Sequence, residues 1–371
     1  MRRMKKTLLP AVLVLVMVTC IHPVHEGYPG TRDTVLVAWN DAHICKTGRI
    51  KKENAGYDVL YWPGTSLKIR FRGRKAEVRM KDERGANYYN VVLDGGRPHM
   101  IRTDSLEHWY VLADSLPDGL HLLELFKRTE WTRGNTRFYA FRITGGAELL
   151  APPPAPDRVI EFFGNSITAG YAAHDTVDDH PDSTLTDNYV TYAALTARHY
   201  HAGYYCTSRS GIGFMISWFP MIMPEMYDRL DPEDPQSKWD FSGVQPGIVV
   251  INLGQNDSWL IEDPEYPEFK HRFGNKKPTP RQIMNAYKDF VRKIRAVYPQ
   301  AQIICALGSM DAVKEGSPWP GYVRTAVKEM NDPGIHTLFF PYLGKDGHPK
   351  VEDHKVMADT LIHYIDRNIK W

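Results

Sequence analysis

Four short segments of this chain hold residue types that together can carry out acyl transfer. Ser166 lies in Gly164-Asn165-Ser166-Ile167-Thr168-Ala169-Gly170, directly after an apolar run. A serine on a tight turn between small residues exposes its hydroxyl and leaves its amide free to donate, as an acyl-transfer nucleophile requires. Gly211, in Ser208-Arg209-Ser210-Gly211-Ile212-Gly213, offers an amide with no side chain in the way. Asn256, in Gly254-Gln255-Asn256-Asp257, carries a carboxamide able to donate to a developing oxyanion, a contact worth ~3 kcal/mol in the transition state. His348, in Lys345-Asp346-Gly347-His348-Pro349, is the natural general base near neutral pH. Asp346, two residues earlier, can orient it and complete a Ser-His-Asp relay. Each segment alone also has a plain structural reading: a glycine-serine turn, a flexible loop, or an Asx turn. A metal reading competes at the last segment, because Asp346, His348, Asp353 and His354 are all ligand types. These four residues do not form a compact His-x-His or His-Glu-x-x-His spacing.

All four segments follow short apolar runs without clean alternation, the pattern of buried parallel strands. These runs are Arg158 to Phe163, Gly203 to Cys206, Gly247 to Leu253 and His336 to Phe340, with Ala301 to Leu307 between the last two. Helical stretches alternate with them at Asp187 to Tyr200, Thr279 to Tyr298, Gly321 to Met330 and Asp353 to Ile369. Thr279-Pro280 supplies an N-cap and a proline at the first helical position. Strand alternating with helix predicts a doubly wound α/β domain over 158–371, and ligands collect at the carboxyl ends of such strands.

The stretch Ala151-Pro152-Pro153-Pro154-Ala155-Pro156 reads as a stiff linker, residues 151–157. Before it the pattern is β. Ser66 to Arg72 alternates strictly, putting Leu67, Ile69 and Phe71 on one face. Tyr88 to Leu93 ends at Asp94-Gly95, a hairpin signal. His121 to Phe126 and Arg137 to Ile143 read as further strands. Residues 21–150 are therefore expected to form an all-β sandwich of jelly-roll type.

Composition excludes several classes. Of 371 residues, 43% are hydrophobic and 12% aromatic, enough for a large core and too many for a disordered chain. A formal charge of +2 argues against a nucleic-acid partner held through its phosphates. Residues 1–20 read as an export signal. Arg2, Arg3, Lys5 and Lys6 precede an apolar run from Leu8 to Val18, which is too short to span a bilayer. Cys20 follows in Met17-Val18-Thr19-Cys20, which resembles a bacterial lipobox and implies lipidation of Cys20. A periplasmic, outer-membrane lipoprotein or secreted location is expected, with membrane contact only through that anchor. Cys206 and Cys305 sit in strand-like runs and are expected to be buried thiols. Without the four leader cations the chain is slightly acidic, and it divides: residues 31–150 carry net +5 and residues 158–371 net −5. Opposite signs predict electrostatic help in docking the two parts.

The order Ser166, Gly211, Asn256, His348 resembles the four blocks of the SGNH (GDSL-type) hydrolases. Longer stretches narrow this. Met223-Pro224-Glu225-Met226-Tyr227-Asp228-Arg229, Trp239-Asp240-Phe241 and Ile248 to Gly254 are similar to carbohydrate esterase family two, as are Trp62-Pro63-Gly64 and Asn87 to Gly95. That family joins an N-terminal jelly roll to an SGNH domain, a three-layer α/β/α fold. The resemblance implies Ser166 as nucleophile and His348 as base. It implies an oxyanion hole from the amides of Ser166 and Gly211 and the side chain of Asn256, with no metal or organic cofactor. Asn165 stands where the wider superfamily has aspartate. Asp346 precedes His348 by two residues rather than the superfamily's usual three, and some family members work as a Ser-His dyad.

The expected activity is removal of O-acetyl groups from xylan- or glucomannan-type polysaccharides or oligosaccharides, with Phe214, Trp218 and Trp259 as candidates to stack on a sugar. Core or rim packing is the competing reading for those three. A lipid or thioester acyl hydrolase is the alternative enzyme, and a catalytically decayed carbohydrate-binding protein is the alternative from another class.

Overall fold

The computed structural model describes residues 33–53, 55–344 and 347–371; the leader, Cys20 and Asp346 lie outside the described residues. Alternating sequence before the prolines becomes antiparallel sheet. In chain order the strands are β1 (Thr34–Ala38), β2 (Cys45–Thr47), β3 (Ile50–Glu53), β4 (Tyr57–Leu60), β5 (Ser66–Arg72), β6 (Lys75–Asp82), β7 (Tyr88–Leu93), β8 (His99–Arg102), β9 (His108–Ala113), β10 (Leu120–Lys127), β11 (Thr136–Thr144) and β12 (Glu148–Leu149). One sheet runs β3-β4-β11-β6-β9, with β1 also on β11; the other runs β12-β5-β10-β7-β8, with β2 also on β5. Leu67, Ile69 and Phe71 point inward as their alternation requires, meeting Val78, Met80, Phe138 and Phe141 between the sheets. Asp94 and Gly95 both take positive φ, 53° and 69°, the geometry of the hairpin turn between β7 and β8.

After the prolines come β13 (Val159–Gly164), β14 (Gly203–Ser208), β15 (Ile248–Asn252), β16 (Gln302–Leu307) and β17 (Ile335–Phe339), all parallel, in the order β14-β13-β15-β16-β17. The helices are α1 (Ser166–Ala169), α2 (Tyr192–His199), α3 (Met223–Met226), α4 (Gln255–Leu260), α5 (Pro267–Phe273), α6 (Pro280–Val297), α7 (Trp319–Met330) and α8 (Val351–Asn368). Both faces of β15 are buried, which is why its sequence shows no polar alternation. Val249 and Ile251 face a core shared with α6 and α7, whereas Ile248 and Val250 face one shared with α2 and α8. α6 begins as its sequence signals, with Thr279 and Gln282 forming a capping box and Pro280 at the first helical position. The expected helix over Asp187 to Tyr200 starts later, at Tyr192, because Thr191 caps it. Cys206 and Cys305 are buried free thiols, and burial pushes the Cys305 thiol up to about 12. Among the described residues no helix is long and apolar enough to cross a membrane.

Sandwich and parallel sheet belong to one compact unit, Asp33–Trp371. Val59, Tyr61, Trp62 and Trp131 of the sandwich join the apolar core on one face of the parallel sheet, and Phe126 joins the other. Arg49, in the turn between β2 and β3, enters that sheet's core and pairs with Glu161 of β13 at 2.7 Å.

Candidate active site

The strand order reverses at β13, so the crevice opens between the ends of β13 and its neighbours. Register sets Gly164, Ser208 and Asn252 level across three adjacent strands. Ser166, Gly211 and Asn256 follow these positions by two, three and four residues, so all three emerge at one sheet edge. Ser166 opens α1, where a helix leaves its first amides without internal partners. Asn165 caps that helix by accepting from the Ile167 N–H at 3.0 Å. Asparagine therefore does the capping that an aspartate at this position would do, without adding a charge beside the serine.

His348 starts from the far edge of the sheet, beyond β17, yet reaches the serine. Its Nε2 lies 2.7 Å from Ser166 Oγ, and its Nδ1 lies 2.6 Å from Asp179 Oδ2. A carboxylate only accepts, so Nδ1 carries the proton and Nε2 is left to accept the serine hydroxyl. The carboxylate on this histidine is thus not the one that sequence spacing nominates. Asp179 belongs to the loop between β13 and α2, and it also accepts the His348 backbone N–H at 2.8 Å and the Lys350 ammonium at 2.8 Å. Burial opposes its ionisation, but the bonds from His348 and Lys350 win and hold its carboxyl well below the usual carboxylate range. Gly347 makes the approach possible: its φ is +89°, and a Cβ there would come within 3.1 Å of Asp179 Oδ2. The Tyr171 ring packs 4.9 Å from the imidazole and its hydroxyl donates to the Asp179 carbonyl at 3.3 Å.

Asn256 and Gly211, the other two candidates, are also held in place. Asn256 donates one amide hydrogen to the Ile212 carbonyl at 2.8 Å, and its Oδ1 accepts the Trp218 indole N–H at 3.0 Å. Both bonds fix the carboxamide flip, leaving one N–H to donate. Gly211 has φ +82°, and a Cβ there would meet the Phe219 and Trp218 side chains at 3.1 to 3.3 Å. Asp257, fully buried, accepts the amides of Phe214, Met215 and Ile216 at 2.7 to 3.2 Å, binding this loop to the start of α4. Burial pushes its carboxyl up to about 6 against the pull of those amides.

The aromatic candidates separate. Trp218 is 45% exposed and bonded to Asn256. Trp259 is half-buried, with its indole N–H on Asp311 at 2.8 Å. Phe214 is only 2% exposed and packs against Tyr287 and Trp319, so the expectation that it stacks on a sugar is corrected: it has no free face. The two histidines of the metal alternative are committed elsewhere, since both His348 nitrogens are engaged and His354 is buried on the Tyr192 amide.

Two family descriptions match this chain: carbohydrate esterase 2 N-terminal over residues 46–153, and GDSL-like lipase/acylhydrolase over residues 162–334. By these matches the chain joins a carbohydrate esterase 2 N-terminal part to a GDSL-like lipase/acylhydrolase part. The chain is similar to the cellulase/esterase CelE of Acetivibrio thermocellus, 31% identical over 340 residues, covering 88% of this chain and 40% of that one. It thus spans less than half of that longer relative. It is 23% identical to an acetylxylan esterase / glucomannan deacetylase of Cellvibrio japonicus over 346 residues, 91% and 92% of the two chains. Among solved structures, a family two carbohydrate esterase from Clostridium thermocellum in complex with cellohexaose aligns with TM-score 0.76 at 29% identity, over 87% of this chain and 98% of that one. A family two esterase from Cellvibrio japonicus aligns with TM-score 0.80 at 23% identity, over 90% and 97%, and shares the fold.

Proposed function

We propose that this chain is an exported serine esterase that removes O-acetyl groups from polysaccharides or oligosaccharides of xylan or glucomannan type. The observation that carries the reading is the unbroken line of hydrogen bonds Ser166–His348–Asp179 at the strand ends. His348 takes the proton of Ser166 as its oxygen attacks the acetyl carbonyl, and Asp179 stabilises the imidazolium that forms. The amides of Ser166 and Gly211 and the free N–H of Asn256 receive the oxyanion. The sugar hydroxyl leaves with the proton from His348. Water, activated by the same histidine, then hydrolyses the acetyl-serine. The exposed Trp218 indole supplies an apolar face at the rim, suited to a sugar ring.

Turnover of 4-nitrophenyl acetate, acetylated xylan and acetylated glucomannan tests the reading. Ser166→Ala is expected to lose about 10³-fold in kcat on all three; unchanged turnover removes the mechanism. Acyl chains longer than acetyl should be poorer substrates, and equal or better hydrolysis of long chains favours a lipid acyl hydrolase instead. The basic and apolar leader supports export and its last residue supports lipid attachment; Cys20→Ala should release the protein from membranes, and unchanged fractionation sinks the anchor.

A further inference from the structure

The loop that delivers Asp179 has little apolar packing of its own. Between His174 and Leu185 the one buried residue is Asp175, and Val177 is 86% exposed. Polar bonds must therefore hold it. Inside the loop, Asp175 accepts the N–H groups of Val177, Asp178 and His180 at 2.8 to 3.1 Å, which shapes the turn but does not fix it to the body of the protein.

The loop's base is fixed from the sandwich. Arg128, the residue after β10 and 6% exposed, sends its guanidinium to the carbonyls of Thr184, at 3.0 Å, and Thr186, at 3.2 Å. The same group donates to Asn90 Oδ1 at 3.3 Å, and Asn90 in turn donates to Asp187 Oδ1 at 3.0 Å. Asp187 also lies 3.5 Å from Arg128 and takes the His174 ring N–H at 3.0 Å, joining the two ends of the loop. The Arg128 carbonyl accepts the Asn188 amide at 3.0 Å, and Arg133 reaches the Pro181 carbonyl at 3.4 Å. A planar five-donor fork can bridge two carbonyls and an amide oxygen at once, which a lysine ammonium does poorly. Two residues further on, Glu130 accepts the Ser210 N–H at 2.7 Å, next to Gly211. One sandwich segment thus touches both flanks of the catalytic centre.

We propose that Arg128, seated on Asn90 and Asp187, is a positioning residue for catalysis: it sets the loop so that Asp179 meets His348. The sandwich would then be part of the catalytic apparatus rather than a passenger. This rests on the serine-esterase reading above.

A double-mutant cycle on the full chain with 4-nitrophenyl acetate tests it. Arg128→Ala is expected to lower kcat about 10- to 100-fold with KM changed less than about threefold, since a misplaced orienting carboxylate affects the transition state. In an Asp179→Asn background the same substitution should cost less than about threefold, because residues acting through one another are non-additive. Arg128→Lys and Asn90→Ala serve as milder variants if Arg128→Ala does not fold, and each should show the same collapse. An equal loss in both backgrounds, or no loss of kcat in a folded variant, overturns the proposal. Ser166→Ala in the same assay separates the failures. Full activity there overturns the serine reading and the brace together, whereas an inactive Ser166→Ala with additive Arg128 losses overturns the brace alone.

Discussion

Trp218 donates its indole N–H to the carboxamide oxygen of Asn256 at 3.0 Å while keeping much of its ring in solvent. On the proposed mechanism, a residue at the rim therefore also orients an oxyanion donor. Without that bond only the Ile212 carbonyl holds the carboxamide against a flip that would present oxygen, an acceptor, to the developing negative charge.

Removing the donor outright should be costly: Asn256→Ala is expected to lower kcat by about 10²- to 10³-fold. Trp218→Phe keeps an apolar ring but loses the N–H, and a fall of about tenfold in kcat is expected, the scale of one misoriented hydrogen bond. Steady-state kinetics on 4-nitrophenyl acetate decides this. A change in KM alone for Trp218→Phe would reduce the tryptophan to a sugar platform.

The two candidate acids make opposite predictions. Asp179→Asn keeps the shape of the side chain but lets it donate to His348, favouring the wrong tautomer, and a loss of about 10³- to 10⁴-fold in kcat is expected. Asp346→Ala should cost less than about tenfold, since the Nδ1 partner is already Asp179. A large loss for Asp346→Ala with a small one for Asp179→Asn would restore the sequence-based assignment.

That reversal marks where sequence was legible and where it was not. Ser166, Gly211 and Asn256 could be found because each follows a strand buried on both faces, as β15 is, whereas His348 follows the half-buried edge strand β17 and was marked by its residue type and its place after the last strand-like run. The sandwich was legible from strict alternation in β5, and α6 from its capping box. Asp179 carries no such mark. It stands in His174-Asp175-Thr176-Val177-Asp178-Asp179-His180, where four other acidic or imidazole groups compete, and nothing local distinguishes it. Its role comes from a contact 169 residues away in sequence, allowed by the missing Cβ of Gly347. The density of Asp and His between β13 and α2 was the available signal. For Phe214 the sequence offered both sugar stacking and packing, and its contact with Tyr287 decides for packing.

His354, six residues past the catalytic histidine, should act on stability rather than turnover. It is fully buried, its Nδ1 accepts the Tyr192 N–H at 3.3 Å, and burial lowers its pKa to about 3. The unfolded chain binds this proton near pH 6.5 and the folded chain does not until about 3. Its stabilising contribution is therefore complete above pH ~6.5 and is lost progressively as pH falls toward 3. His354→Asn retains a neutral acceptor for the Tyr192 amide. The variant is expected to lose less thermal stability than wild type between pH 7 and about 5. Parallel Tm curves across that range would assign the acid sensitivity elsewhere.

Arg49 and Glu161 make the strongest prediction about how the two folds are joined. Arg49 is 1% exposed, bonds Glu161 at 2.7 Å and the carbonyls of Tyr227 and Arg229 at 2.6 and 3.0 Å, and lies within 6 Å of the Trp62, Phe163, Trp239 and Phe241 rings. Glu161 is otherwise held by the Tyr298 hydroxyl and, at 3.4 Å, by Thr207. Arg49→Ala would leave a buried carboxylate without its cation and two carbonyls without donors, which is expected to cost about 3–5 kcal/mol. Replacing both partners, Arg49→Met with Glu161→Gln, should cost clearly less than Arg49→Ala, because no unpaired charge remains buried. The opposite net charges of the two parts suggested docking that salt would weaken. Charges this deep are screened far less than surface pairs, so the wild-type unfolding midpoint should change little between low and ~1 M NaCl. Guanidinium is ionic and would mask the comparison, so urea unfolding at each salt concentration is the measurement. A steep loss of stability with salt would return the docking energy to the surface charges.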